Sequence, residues 1–269
     1  MAQAQEYMRG WELGLWGGTS FYLGDLNTNF RFNHVNAAGG IGARYNFNNR
    51  LALQLSGNYG KVEAYDHDSR NTFERARNLS FESEIIDGTM QIEFNFLPYV
   101  HGSRDYFFSP YLFGGLSVFY FNPKAVYDGP ELALQGQLVE LRPLGTEGQF
   151  KGEEYYSITA ALVYGAGFKF DLSYEWSVNI FVGARATYTD YLDDVSTVYP
   201  DVSDLQRSRG TIAVYMSDRS IDIDGVDTSQ LGAEGQQRGD STKRDTYIMA
   251  GVSFNYYFGD VRCPEVTRR

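Results

Sequence analysis

One cysteine and seven prolines are all that 269 residues supply of those two types. A single thiol excludes an intrachain disulfide framework, and so few prolines leave long stretches free to pair as strands. Basic residues are also short, with 23 Lys and Arg against 34 Asp and Glu for a formal charge of −11. That balance argues against a nucleic-acid partner, which usually meets a basic face. No run reaches the ~18 apolar residues that a spanning helix requires. The densest, Leu112 to Phe121, is already interrupted by Gly114, Gly115 and Ser117. The opening Met1-Ala2-Gln3-Ala4-Gln5-Glu6 has neither the basic start nor the apolar core of an export signal. Ala2-Gln3-Ala4 resembles a cleavage remnant, and an ordinary polar start reads equally well.

Aromatics and glycine are abundant: 21 Tyr, 19 Phe, 3 Trp and 29 Gly. This composition suits a strand-dominated fold. Mean hydropathy is negative. A transmembrane barrel produces the same average, because half of every strand faces a polar interior and the loops are polar.

Alternation with a period of two predicts eight strands. The first covers about Trp11 to Leu23, with Trp11, Leu13, Leu15, Phe21 and Leu23 on one face. The second, about Ala38 to Phe47, sets Ile41, Ala43 and Tyr45 against Gly40, Gly42 and Arg44. The third runs from Leu51 to about Tyr59. The fourth, about Ile86 to Phe96, alternates Ile86, Met90, Ile92 and Phe94 with Asp87, Thr89, Gln91 and Glu93. The fifth, about Tyr111 to Phe121, alternates poorly because both faces are apolar. The sixth (about Tyr156 to Phe170), seventh (about Trp176 to Tyr188) and eighth (Tyr247 to Phe258) alternate again.

The connections decide the class. Those after strands 2, 4 and 6 are short (48–50, about 97–107 and 171–175). Those after strands 1, 3, 5 and 7 are long, including 122–154 and about 192–244. An even strand count with alternating short and long connections is the pattern of an outer-membrane barrel, with short periplasmic turns and long external loops. The expected fold is all-β, a closed eight-stranded antiparallel transmembrane barrel over residues 10–259. A periplasmic segment (1–9) precedes it, a periplasmic tail (260–269) follows, and both termini are periplasmic.

A soluble eight-stranded barrel would carry the same alternation with its apolar face inside. Three details favour the inverted arrangement. Gly and Ser crowd the polar face, as a narrow lumen demands. Glu12, Arg44, Asp87, Glu93, Lys169 and Arg185 lie on that face with charges that can pair. Trp11, Phe47, Phe96, Trp176 and Phe258 sit near the turn ends, where an interfacial girdle belongs. With eight strands, side chains fill the interior, so an open diffusion channel is not expected.

Signals for chemistry are sparse. His34, His67 and His101 fall in three different connections and read as solvated loop residues rather than metal ligands. Ser80 or Ser83 beside His67 would be the constellation of a lipid-modifying barrel enzyme, but no motif supports it. The Gly-rich pieces 39–42 and 114–115 lie inside strands, so they are not phosphate cradles. The reading is therefore non-enzymatic, with no cofactor, metal or small-molecule substrate. A lipid-modifying enzyme and an adhesin built on the long loops remain as alternatives. Cys263 follows the last strand in Gly259-Asp260-Val261-Arg262-Cys263-Pro264. In an oxidising compartment an unpaired thiol stays free or joins another chain. The tail reaches at most about 33 Å, so a covalent partner would lie against the membrane.

The first hairpin contains Tyr22-Leu23-Gly24-Asp25-Leu26 within Gly17 to Asn27. With the strand and loop layout and the short tail, the chain resembles the PorG-type small outer-membrane barrels of the type IX secretion system. The resemblance implies a part in protein secretion and, in some bacteria, gliding motility. It implies that the barrel anchors a periplasmic ring of the lipoprotein PorK and the protein PorN through its turns and tail. By the same carry-over, Cys263 is the candidate for a disulfide to PorK.

Overall fold

The computed structural model describes residues 9–225 and 227–259. Eight long strands close on themselves: β1 (Gly10–Leu23), β2 (Asn36–Asn46), β3 (Leu51–Tyr65), β4 (Ser80–Asn95), β5 (Phe108–Val126), β7 (Ile158–Asp171), β8 (Trp176–Thr187) and β9 (Thr246–Phe258). Short β6 (Leu138–Glu140) pairs only with the upper end of β5. All pairings are antiparallel, and β9 returns to β1 with Trp11 opposite Phe258 and Leu23 opposite Thr246. Closure leaves the eight-stranded ring without an edge, so every strand has two neighbours. Both described chain ends lie at the end carrying the short turns.

Following paired residues once around the wall fixes the strand tilt. Trp11 meets Tyr45, and the row continues through Leu53, Ile92, Gly114, Tyr164, Ala184 and Ile248. It regains β1 at Phe21, ten residues above Trp11. For eight strands this stagger tilts each strand by about 40° and makes ten residues rise about 25 Å along the barrel axis.

The faces sort as the alternation requires. Outward side chains between the two ends are apolar apart from Thr19, as with Leu13, Leu15, Ile41, Leu55, Met90, Ile92, Leu116, Leu162, Ile180 and Phe254, all exposed. Inward ones are polar, small or aromatic filling, and the charged Glu12, Arg44, Asp87, Glu93, Lys169 and Arg185 are all buried. In water this polarity would be inside out; in a bilayer the apolar belt and the paired backbone are both satisfied. No described helix is long and apolar enough to cross a membrane, which says nothing about strands.

Two features depart from the sequence reading. β5 does alternate: Leu112, Leu116 and Val118 face out, while Tyr111, Phe113 and Phe119 turn into the lumen as filling. Strands β3, β4 and β5 also run past the expected ends, to Tyr65, from Ser80 and to Val126. The apolar signal stops at the edge of the belt, but pairing continues in water. There charged partners such as Lys61 and Glu82, 2.7 Å apart, replace the aliphatic ones.

Candidate functional site

The lumen is a polar column rather than a channel. Glu93 on β4 receives Arg44 Nε at 2.8 Å and Lys169 Nζ at 2.6 Å. Arg44 also reaches Glu12 at 2.7 Å, and Asn46 donates to the other oxygen of Glu12 at 2.5 Å. One layer up, Asp87 accepts from Tyr247 (2.8 Å) and Asn58 (2.7 Å) and lies 3.3 Å from Arg185. Tyr111, Phe113, Trp16 and Phe181 fill the space between, with Trp16 and Phe181 edge to face at 5.2 Å. The void they enclose with Arg44 and Arg185 has a volume of about 30 Å³, room for about one water.

At the turn end, the β4–β5 connection folds inward and plugs the base. His101 is fully buried, contrary to the solvated histidine expected from sequence. Its Nδ1 lies 2.6 Å from Asp171, its Nε2 lies 3.4 Å from Glu12, and its ring stacks on Tyr257 at 4.5 Å. Burial alone would weaken its hold on a proton, but the bonds to Asp171 and Glu12 outweigh it and raise the pKa. Sequence reading missed this because the partners lie 70 or more residues away, on β7 and β1.

At the opposite end the long loops pack into a cap. Helices α1 (Thr72–Arg77), α2 (Val202–Arg209) and α3 (Thr211–Ser217) belong to it. α1 starts on Asn71, whose side chain accepts from Phe73 N, and ends on Asn78 in the left-handed region. Asp201 caps α2 by accepting from Ser203 N and Asp204 N. The apolar core of the cap joins Leu26, Val62, Leu79, Phe81, Phe121, Leu192 and Met216 to the upper lumen.

Two buried arginines stitch the loops together. Arg77 grips Asp66 with Nε and Nη2, both at 2.8 Å, and donates to the carbonyls of Asp25 and Arg238. Arg238 donates to Glu147 at 3.1 Å and to the carbonyl of Asp194. Glu147 in turn accepts from Ser196 N, Thr197 N and Thr197 Oγ1. All four long loops meet in these contacts.

Beside them lies an acidic centre. Tyr22 Oη is 2.6 Å from Asp193 and 2.6 Å from Asp245. A phenol has one proton to donate, so at this spacing one of the two carboxyls supplies its own. Burial, reinforced by neighbouring carboxylates, pushes both aspartates well above the usual carboxylate range. It also lifts Asp190 to about 7 and Asp194 to about 6.

His34 Nε2 sits 2.5 Å from Asp68 and its Nδ1 3.3 Å from Glu63, so it is paired rather than solvated. His67 reaches the same Asp68 at 3.4 Å. Among the described residues no three His, Cys, Asp or Glu are arranged to hold a metal ion. Ser80 Oγ accepts from Arg219, and Ser83 Oγ accepts from Asn122 N. Cys263 and the tail 260–269 lie outside the described residues, as do residues 1–8.

Comparison with solved structures returns small membrane barrels. Neisserial surface protein A is 8% identical, with 93% of this chain and 97% of that one covered and a TM-score of 0.45. OprG from Pseudomonas aeruginosa is 11% identical, with 94% and 98% covered and a TM-score of 0.42. Ail of Yersinia pestis, in complex with the heparin analogue sucrose octasulfate, is 12% identical, with 93% and 100% covered and a TM-score of 0.41. The closed barrel rests on the β1–β9 register rather than on these distant likenesses. No curated protein matches the chain. A family model described as a domain of unknown function, DUF6089, matches residues 1–137, and the chain belongs to that family.

Proposed function

We propose that the protein is a non-conducting, non-enzymatic outer-membrane barrel that anchors a periplasmic assembly of the type IX secretion machinery, as the PorG-type resemblance implies. The observation that carries the anchoring role is the filled lumen: Glu93, Arg44, Lys169 and Arg185 lock the column, and His101 closes its base. A barrel plugged along its length offers its outer belt to lipid and its two ends to other molecules. In this reading the cap faces outward. The short turns, both termini and Cys263 face the periplasm, where a ring of PorK and PorN would dock. Tyr22, Asp25 and Leu26 of the segment that carries the resemblance are buried in the cap, so they serve its packing rather than an exposed contact surface.

The test is non-reducing electrophoresis of native outer membranes from the wild type and from Cys263→Ser. A high-mass band that collapses with reductant and is absent from the variant, and that contains the PorK lipoprotein, supports the covalent anchor. Co-purification of the ring by wild type and variant alike supports a non-covalent anchor. No ring protein in either purification contradicts the role. A second reading, an adhesin, draws on Leu132 (82% exposed), Phe150 (73%) and Tyr156 (84%) in the 127–157 loop. Loss of cell-surface binding on replacing those three by serine, with secretion intact, would favour it.

A further inference from the structure

The loop after β1 comes back down the outside of the barrel. Phe21 points outward by the alternation of β1, yet it is 8% exposed, because Phe32 covers it with ring centroids 5.0 Å apart. Phe30 stands 6.0 Å from Phe32, and both rings are 59% exposed. A tight turn holds them there. Asn27 donates to the carbonyls of Tyr22 and Arg31 and accepts from Arg31 N. Phe30 has a φ of 51°, a left-handed conformation unfavourable for a bulky side chain. The Arg31 side chain turns inward, donating to the Leu26 carbonyl at 3.0 Å and lying 3.9 Å from Glu74. The turn thus hides its charge and displays two phenyl rings.

The height of those rings follows from the register. Phe21 lies ten residues above Trp11 on the same strand, a rise of about 25 Å at the barrel's tilt. That equals the height of an apolar band between its two aromatic girdles, about 25 Å. With Trp11 at the inner girdle, Phe21 marks the outer one, and the rings of Phe30 and Phe32 continue the apolar belt sideways at that level. We infer that residues 30–32 form an aromatic foot that binds outer-leaflet lipid at the boundary between headgroups and acyl chains. Aromatic rings favour this zone, and a ligand there meets phenyl faces rather than a free cation, so the acyl end of the boundary is what it takes. The strained φ of Phe30 fits an anchor that trades local comfort for burial in lipid. The inference rests on the membrane reading proposed above.

The full chain, carrying Phe30→Trp, is reconstituted in phosphatidylcholine vesicles brominated either near the headgroup end or near the methyl end of the acyl chain. Trp11 and Trp176, native and at the inner girdle, report whether the barrel is inserted. The expected result is an added emission that is blue-shifted and quenched more strongly by bromine near the headgroup end. If Trp11 and Trp176 are quenched while the added indole emits as in water and escapes both lipids, the foot is refuted and insertion stands. Added emission that is blue-shifted but unquenched places the ring against protein and also refutes it. If no tryptophan is quenched, the membrane reading itself falls, and the foot with it.

Discussion

Replacing Leu15 by arginine places a guanidinium on the outer face of β1, at a position 67% exposed. Leu15 is four residues above Trp11 and six below Phe21, which puts it about 10 Å above the inner girdle and close to the midplane of a belt about 25 Å tall. An arginine at that depth destabilises a membrane barrel by ~2–4 kcal/mol, falling to ~0–1 kcal/mol near the interface. Tyr120, the last residue of the outward row of β5 before Asn122 and Lys124, supplies the interfacial control. Folding of Leu15→Arg and Tyr120→Arg into lipid vesicles is titrated with urea and read by heat-modifiable electrophoresis. The structure predicts a midpoint shift worth ~2–4 kcal/mol for Leu15→Arg and a much smaller one for Tyr120→Arg. In a barrel surrounded by water, an exposed Leu→Arg change stays within about 0.5 kcal/mol. Equal, negligible shifts for both variants would refute the inside-out polarity.

Three further outcomes are expected. Glu93→Ala strands Lys169 in the lumen, leaves Arg44 with Glu12 as its one charged partner, and should destabilise the barrel by ~3–5 kcal/mol, with Glu93→Ala/Lys169→Met recovering part of it in a double-mutant cycle measured by urea unfolding. A Cβ on Gly165 would run into the Val182 carbonyl oxygen and the Phe113 ring, while one on Gly57 meets nothing within 4 Å. Gly165→Ala should therefore lower the unfolding midpoint by ~1–3 kcal/mol and Gly57→Ala should leave it nearly unchanged. The cap should loosen with rising pH. Asp190, Asp193, Asp194 and Asp245 have raised folded pKa values, so the folded cap keeps protons that the unfolded chain releases above about 4. Their contribution is complete below that value and declines as pH climbs through about 6 and about 7, the values of Asp194 and Asp190. Protection from hydrogen exchange in residues 192–225 and 227–244, taken relative to the intrinsic exchange rate at each pH, should be greater at pH 5 than at pH 8.5, and the reverse order would contradict the proton inventory around Tyr22.

The barrel was legible in the sequence because its governing periodicity is local. Ile86 to Phe96 alternates side by side in the chain, and the lipid and lumen faces follow from that pattern alone. Turn and loop lengths then gave the closure order. β5 misled because aromatic filling on its lumen face, Tyr111 and Phe113, looks like a second lipid face until the narrow interior is in view. The cap was illegible for a different reason. Its contacts join residues far apart in the chain, such as Tyr22 with Asp245 and Arg77 with Arg238. No spacing rule pairs them, and their neighbours are ordinary loop residues. His101 was misread likewise, since nothing near it in sequence announces Asp171 or Glu12 as partners.

We propose that the barrel spans the outer membrane with its cap outside and its short turns inside. Single cysteines at Leu132→Cys in the cap loop and Arg104→Cys in the plug turn, each in a Cys263→Ser background, test it with a membrane-impermeant maleimide on intact cells. Both native residues are exposed, so reagent access depends on which side of the membrane each one faces. Labelling is expected for Leu132→Cys on intact cells and for Arg104→Cys only after the outer membrane is permeabilised. Labelling of Arg104→Cys on intact cells, with Leu132→Cys protected, would contradict it.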